Sequence, residues 1–465
     1  MSIPHIRLNK KSATPLYRQL TDALKNLISQ GKLLPDSKLP SIRQLAQALD
    51  VNTTTVVSAY KHLEQEMAVY SVVGSGTFVA RQVAAPVEAP VFAGSIEGYI
   101  NFADTATDVA LFPVIAFRRT FDAVLERDGG LAFDCHDSRG FAPLRESLCR
   151  LLDGCVVESD CIQVISDVQQ GIEIIANELL SPGDTVFVEG FTSQGAVGAF
   201  LSRRAQVIEM PLAKDGLDFT ALEALLKKHR PKLIYVMPNF QTPTGITYSD
   251  ESKARLLELA HNAGAYILEE DQFSDFYYDG IKRASLKAVD SCSRVIYVKG
   301  FSKTLVPGFR MGFIAYPKIM CTNTGLRPRD PSRNDTGCHF GSVAGYFQRA
   351  FDLFLRSGAY DLHMANLRSV YGRRYQKVEA AVKTYLAHLA DFYMPCGGLS
   401  LWIMPYGVIG DYIEGFLQRK VIVSPGRLFS ASGKNGFRIS FSSVPEERIA
   451  EGIGIIAAVL EDRTI

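Results

Sequence analysis

Leu16, Leu20, Leu24, Leu27 and Ile28 recur at helical spacing, and their run is bounded by Thr14-Pro15 on one side and Gly31 on the other. A capping residue followed by proline at the first helical position opens a helix, and glycine closes one. Ser41 followed by Gln44 is a capping box, and Ile42, Leu45 and Leu49 give the next short helix a single apolar stripe. Asn52 can cap a third helix whose Val56, Ala59, Tyr60 and Leu63 face inward, leaving Thr53, Thr54 and Ser58 exposed near its start. Only a tight turn separates the second and third helices. Such a pair predicts a helix-turn-helix, in which the first residues of the second helix enter the DNA major groove. Val69 to Val79 then reads as a β-hairpin turning at Gly74-Ser75-Gly76.

Periodic patterning stops in RQVAAPVEAPVFAGSIEG, residues 81–98, where Ala, Pro, Val and Gly predominate and the prolines stiffen an extended linker. Beyond it the apolar runs DTVFVEG, PKLIYVMP, AYILEED and RVIYVKGF alternate with helical stretches such as LDFTALEALLKKH and SKARLLELAHNAG. Alternation of that kind predicts an α/β domain with a mainly parallel sheet. The expected fold class is therefore multidomain: a small α+β winged helix-turn-helix over residues 1–80, a linker over 81–98, and an α/β domain over 99–465. A chain of 465 residues exceeds what one core usually covers, and 47% hydrophobic residues suffice to fill several and exclude disorder as the main state.

A net charge of +1 says nothing about partners, but residues 1–80 hold nine Lys or Arg against five Asp or Glu, so the basic excess sits with the predicted DNA reader. The eight cysteines, at positions 135, 149, 155, 161, 292, 321, 338 and 396, form no CxxC pair and have no nearby His at zinc-ligand spacing. No metal site is expected. With no signal peptide and no apolar run of membrane length, free thiols in a reducing cytoplasm are the expectation.

The segments TPLYRQLTDALKNLISQGKL, KLPSIRQLAQALDVNTTTVVSAYKHLEQE and GSGTFVA resemble the GntR-type winged helix over about seventy residues. The resemblance implies double-stranded DNA as partner. Arg43 would contact phosphate or a base, Ser41, Thr53, Thr54 and Thr55 would lie at the groove, and the wing tip at Gly74 and Gly76 would approach the minor groove. The family often has Arg where Thr53 stands, so base readout there is expected to differ.

Residues 99–465 resemble fold-type I aminotransferases, through HDSRGFAPLRESL, SDVQQGIEII, PNFQTPTG, ILEEDQF, GFSKTLVPGFRMGF and FRISFS. Joined to a GntR head, this resembles the MocR family of regulators. The resemblance implies pyridoxal 5'-phosphate as cofactor and a homodimer whose paired heads read two half-sites. Pyridoxal phosphate chemistry needs a lysine amine, an acid beside the pyridine nitrogen, and cationic or N–H donors for the phosphate. Lys303, between an apolar strand and Leu305-Val306-Pro307, is placed where its ammonium would be partly desolvated and its pKa lowered. The resemblance makes it the Schiff-base lysine and gives Arg310 the phosphate, assisted by Ser302 and by Asp167, Val168 and Gln169 in the loop Ser166–Gln170 that opens a helix. Arg438 matches the arginine that grips a substrate or effector carboxylate.

Several positions depart from that pattern. Glu270 falls where an aspartate meets the pyridine nitrogen, with Asp271 next in line, and which of the two faces the ring stays open. Ser193 replaces the stacked aromatic, Phe273 falls near the usual tyrosine, Thr242 stands in place of the asparagine that meets the ring hydroxyl, and Gly300 removes a phosphate donor. Cofactor binding is thus expected to be retained but thinned, and efficient transamination is not expected. The leading reading is a regulator answering an amino-acid-like or vitamin B6 effector. The alternatives are a working aminotransferase with a DNA-binding head, and a regulator whose large domain no longer holds the cofactor.

Overall fold

The computed structural model describes residues 6–462 except 7, 11, 13, 30–31, 35–36, 67, 73–75, 80–95, 135–137, 323–342, 407–411 and 431–435. Two compact units make up the chain, an N-terminal one and the larger remainder. Most of the expected linker, and Gly74 of the expected wing tip, lie outside the described residues.

In the smaller unit α1 (Leu16–Ser29), α2 (Ile42–Leu49) and α3 (Thr53–Gln65) precede a hairpin of β1 (Val69–Val72) and β2 (Gly76–Val79). The Ser41 hydroxyl accepts from the Gln44 N–H, and the Gln44 side chain accepts from the Ser41 N–H at 3.1 Å, so both halves of the capping box form. Asn52 caps α3 by accepting from the Thr54 N–H at 3.1 Å. Left-handed Asp50 (φ 50°) ends α2 and turns the chain within three residues. The core holds Leu20, Leu24, Leu45, Ala46, Val56, Ala59, Tyr60 and Leu63, with Leu27, Ile28 and Leu49 packed against it. Ile42 is 38% exposed, so the expected stripe on α2 is corrected to Leu45, Ala46 and Leu49. Ile42 shares the helical face of Leu49 but is the first residue of α2, so its exposure comes from its place at the helix end and not from the period. The hairpin pairs Val69 with Val79, and it gains a third edge where Lys38 bridges Phe78 and the Leu39 N–H donates to the Thr77 carbonyl at 2.8 Å.

The larger unit is built on a seven-stranded sheet of β3 (Ile162–Ile165), β4 (Thr185–Glu189), β5 (Gln206–Met210), β6 (Pro231–Val236), β7 (Tyr266–Asp271), β8 (Val295–Gly300) and β9 (Gly312–Ala315), in the order β3-β9-β8-β7-β6-β4-β5. Strands β4, β6, β7 and β8 run parallel, while β9 is antiparallel to both its neighbours. The helices α4 (Val114–Asp128), α5 (Val168–Leu179), α6 (Gln194–Ser202), α7 (Phe219–Lys228) and α8 (Asp250–Ala263) include the crossovers. Asp218 and Ser249 cap α7 and α8, and left-handed Gly264 (φ 72°) closes α8. The apolar runs of the sequence become strands buried on both faces, as a helix-covered parallel sheet requires. Helix α9 (Gly345–Arg356) and the long α10 (Ala359–Tyr385) lead to a second sheet, β10 (Ala390–Phe392), β11 (Ser400–Pro405), β12 (Ser424–Pro425) and β13 (Phe437–Ser440), paired antiparallel in the order β10-β11-β13-β12.

Candidate functional site

The end of β8 delivers Lys303 through the turn Phe301-Ser302-Lys303. Its ammonium donates to the Thr105 hydroxyl at 2.6 Å and the Thr105 carbonyl at 3.0 Å, and the Lys303 carbonyl accepts from the Thr107 hydroxyl at 2.7 Å. Burial, seconded by the Arg438 guanidinium, pulls the Lys303 pKa down to about 8, with Asp104 and Glu270 opposing. Part-buried Ser302 shares this turn.

Strand β7 settles which carboxylate faces Lys303. Side chains alternate across a strand. Glu270 accepts from the hydroxyl of Tyr235 on neighbouring β6 and from the Gln272 amide, and lies close enough to Lys303 to act on it electrostatically. Burial raises its pKa, against those two hydrogen bonds. Asp271 is not brought to the site. It accepts from the Ser274 hydroxyl at 2.5 Å and the Tyr297 hydroxyl at 2.6 Å, and pairs with buried Lys299 at 3.4 Å. Burial alone would raise Asp271, but Lys299 and the two hydroxyls outweigh it and hold the carboxyl below its usual range.

At the start of α5 the Asp167 carboxylate accepts from the Gln170 N–H at 2.7 Å and pairs with Arg310 at 2.6 Å. Arg310 is left-handed (φ 47°), which turns its side chain toward that helix end. The two residues expected to share a phosphate are therefore neighbours, but Asp167 already holds a negative charge against the arginine. The Gln169 side chain runs instead to Glu173 and the Gly195 carbonyl. Val168 packs under Gly300, where an added Cβ would come within 2.8 Å of its Cγ2, so a serine there would collide with α5. Half-buried Thr242 precedes a cis bond to Pro243, and the neighbouring Gln241 amide bonds the buried Glu189 carboxylate at 3.0 Å.

Arg438, on β13, is 8% exposed. It donates to the Ala103 carbonyl and the Ser424 hydroxyl, both at 2.8 Å, and sits 5.1 Å over the Phe429 ring. Its Nε is buried with no hydrogen-bond partner, and burial lowers its pKa to about 10, with Asp104 opposing. A desolvated guanidinium with an orphaned donor is an unfinished anion site. Sequence reasoning missed Thr105, Asp104 and Tyr235. Thr105 and Lys303 lie 198 residues apart, and Tyr235 reads as one more apolar position in a buried strand.

The expected DNA-facing residues belong to the smaller unit. Arg43, Thr53 and Thr54 are exposed and Thr55 is half-buried. Ser41 is exposed, but its hydroxyl serves the α2 cap. Gly76 opens β2 at φ 115°, with Lys38 so near that an added Cβ would lie 2.9 Å from its Cε.

Residues 16–79 match the model of bacterial regulatory proteins of the gntR family, and residues 103–329 match aminotransferase class I and II. The chain thus joins a gntR-type winged helix-turn-helix to a fold-type I aminotransferase domain, the architecture of MocR-type regulators. Over 99% of its length and 99% of the relative's it is 26% identical to the uncharacterized HTH-type transcriptional regulator YdfD of Bacillus subtilis. Over 76% of its length and 85% of the relative's it is 29% identical to aromatic-amino-acid aminotransferase 1 of Thermococcus litoralis. Kynurenine aminotransferase of Pyrococcus horikoshii, solved in complex with PMP, aligns with a TM-score of 0.71 at 28% identity, over 79% of this chain and 92% of that one. Among the described residues no helix is long and apolar enough to cross a membrane, and no group of His, Cys, Asp and Glu is placed to hold a metal ion.

Proposed function

We propose that this protein is a DNA-binding transcription regulator whose larger domain, residues 99–465, holds pyridoxal 5'-phosphate and uses it to sense an amino compound or the cofactor itself. The observation that carries the reading is the convergence of Lys303, whose pKa is lowered to about 8, with Glu270 and with Arg438 and its unpartnered Nε. Pyridoxal phosphate supplies an aldehyde that condenses with primary amines. The residues present fit it. Lys303 offers a partly neutral amine, Glu270 an acid to hold a proton at the ring nitrogen, Arg310 a fork for the phosphate, and Arg438 a grip for an effector carboxylate. Against this fit, Asp167 competes for Arg310 and Ser193 offers no ring to stack, so the site favours reversible occupancy over turnover.

The DNA-reading surface in this proposal comprises Arg43, Thr53, Thr54 and the wing beginning at Gly76. A homodimer is supported by an apolar surface along 109–133, where Val109, Ile115, Leu131 and Phe133 are each at least 65% exposed and Phe133 stacks on Tyr346 at 5.1 Å. Exposed apolar side chains in such number fit a second copy. The test is binding to a cognate operator with and without pyridoxal phosphate and amino acids. Wild type is expected to change its DNA affinity, and Lys303→Ala to bind DNA without responding. A response unaltered in Lys303→Ala would remove the cofactor from the account, and steady turnover of an amino acid with a keto acid would make the protein a working aminotransferase.

A further inference from the structure

Beside the Asp271–Lys299 pair, on the other side of β7 from Glu270, lies a cavity of about 190 Å³ whose lining includes Lys299, Tyr360, Arg150 and Arg368. Its charges are unevenly paired. Lys299 pairs with Asp271 and, at 2.8 Å, with Asp275, and Lys282 at the rim pairs with Asp153. Arg368 lies 5.1 Å over the Tyr277 ring and reaches only the Asp275 carbonyl, at 3.4 Å, while Arg150 is exposed. Among the described residues neither arginine forms an ion pair. The one further lining carboxylate, Asp361, sits in the first turn of α10, where the helix end already favours negative charge. The two guanidiniums stand outside ion pairs, although the lining holds only one cation more than it holds carboxylates.

The cavity wall adds a polar group without a partner. The Tyr360 hydroxyl is buried with no hydrogen-bond partner, and the Thr304 hydroxyl nearby donates to the Phe301 carbonyl at 3.3 Å. Thr304 follows Lys303 directly, so this wall backs onto the turn that carries the lysine. A pocket with two arginines outside ion pairs and a buried hydroxyl without a partner suits a small anion with several acceptor oxygens.

We propose that this cavity is a second ligand site, separate from the Lys303 and Arg438 site, which takes a small oxyanion, a carboxylate or a phosphate, between Arg150 and Arg368. The inference stands independently of the cofactor. Isothermal titration of the full chain at constant ionic strength, with inorganic phosphate in one arm and acetate in the other, tests it on wild type, Arg150→Gln, Arg368→Gln and Arg310→Gln. Wild type is expected to bind at least one anion, Arg150→Gln and Arg368→Gln each to weaken that binding about tenfold, as loss of a charged hydrogen bond does, and Arg310→Gln to retain it. Tighter phosphate binding assigns the site to a phosphorylated ligand, and tighter acetate binding to a carboxylate. Exposed Arg150 can be replaced without disturbing the core, so the test does not hinge on Arg368. The proposal is overturned if neither anion binds wild type, or if binding is lost in Arg310→Gln and kept in the other two variants, which would place the anion at the start of α5.

Discussion

Glu270 and Asp271 are consecutive acids with opposite duties, and their variants should separate cleanly. Asp271→Asn deprives buried Lys299 of one of its two carboxylates. Since uncompensated buried charge is costly, it should lower stability by on the order of 3 kcal/mol, read as a fall in Tm, while leaving covalent capture of the cofactor at Lys303 intact. Glu270→Gln should do the reverse, weakening cofactor binding with little change in Tm. If Asp271→Asn abolished capture in a folded protein, the assignment of faces on β7 would be wrong. Lys303 also sets a pH dependence. Its ammonium is inert and its free amine reacts, so the rate of capture should fall about tenfold per pH unit below about 8 and level off above it. A rate flat from pH 6 to 9 would contradict the lowered pKa. Removing the charge of Asp167 with Asp167→Asn should release Arg310 and tighten pyridoxal phosphate binding several-fold, measured by fluorescence titration.

The elements of the smaller unit owe their ends to side chains that declare themselves locally. Asn52→Ala removes the cap of α3 and should cost about 1 kcal/mol in thermal unfolding of that unit. Arg43→Ala, on exposed α2, should weaken binding to all DNA sequences and reduce the slope of log affinity against log salt by about one, because one phosphate contact fewer releases one counterion fewer. A changed sequence preference at unchanged slope would make Arg43 a base reader instead. Capping boxes and helical periods are local, which is why Ser41-Gln44, Asn52 and the apolar strands could be read from the chain. Ile42 could not, because a stripe on an eight-residue helix fixes its centre better than its edge. The antiparallel β9 and much of the second sheet escaped for another reason, since β9 also pairs with β3, and β11 with β13, across long stretches of sequence. The same distance hid Thr105 from Lys303 and Tyr235 from Glu270, whereas Lys303, Arg310 and Arg438 could be proposed because their motifs are contiguous.

At the scale of the whole molecule, the exposed apolar face along 109–133 bears on assembly. Placing a charge there with Ile115→Glu should shift the protein from dimer to monomer in sedimentation at micromolar concentration, and it should weaken DNA binding, since two linked heads bind better than one. A variant that stays dimeric would move the interface elsewhere. The central claim is that Lys303 carries the cofactor. Its most direct test is to add pyridoxal phosphate to the full chain, reduce with borohydride, digest, and locate the added mass by peptide mass spectrometry. The account predicts a phosphopyridoxyl group on the peptide containing Lys303 and none on that peptide from Lys303→Ala. Label absent from Lys303, or spread evenly over surface lysines, would contradict it.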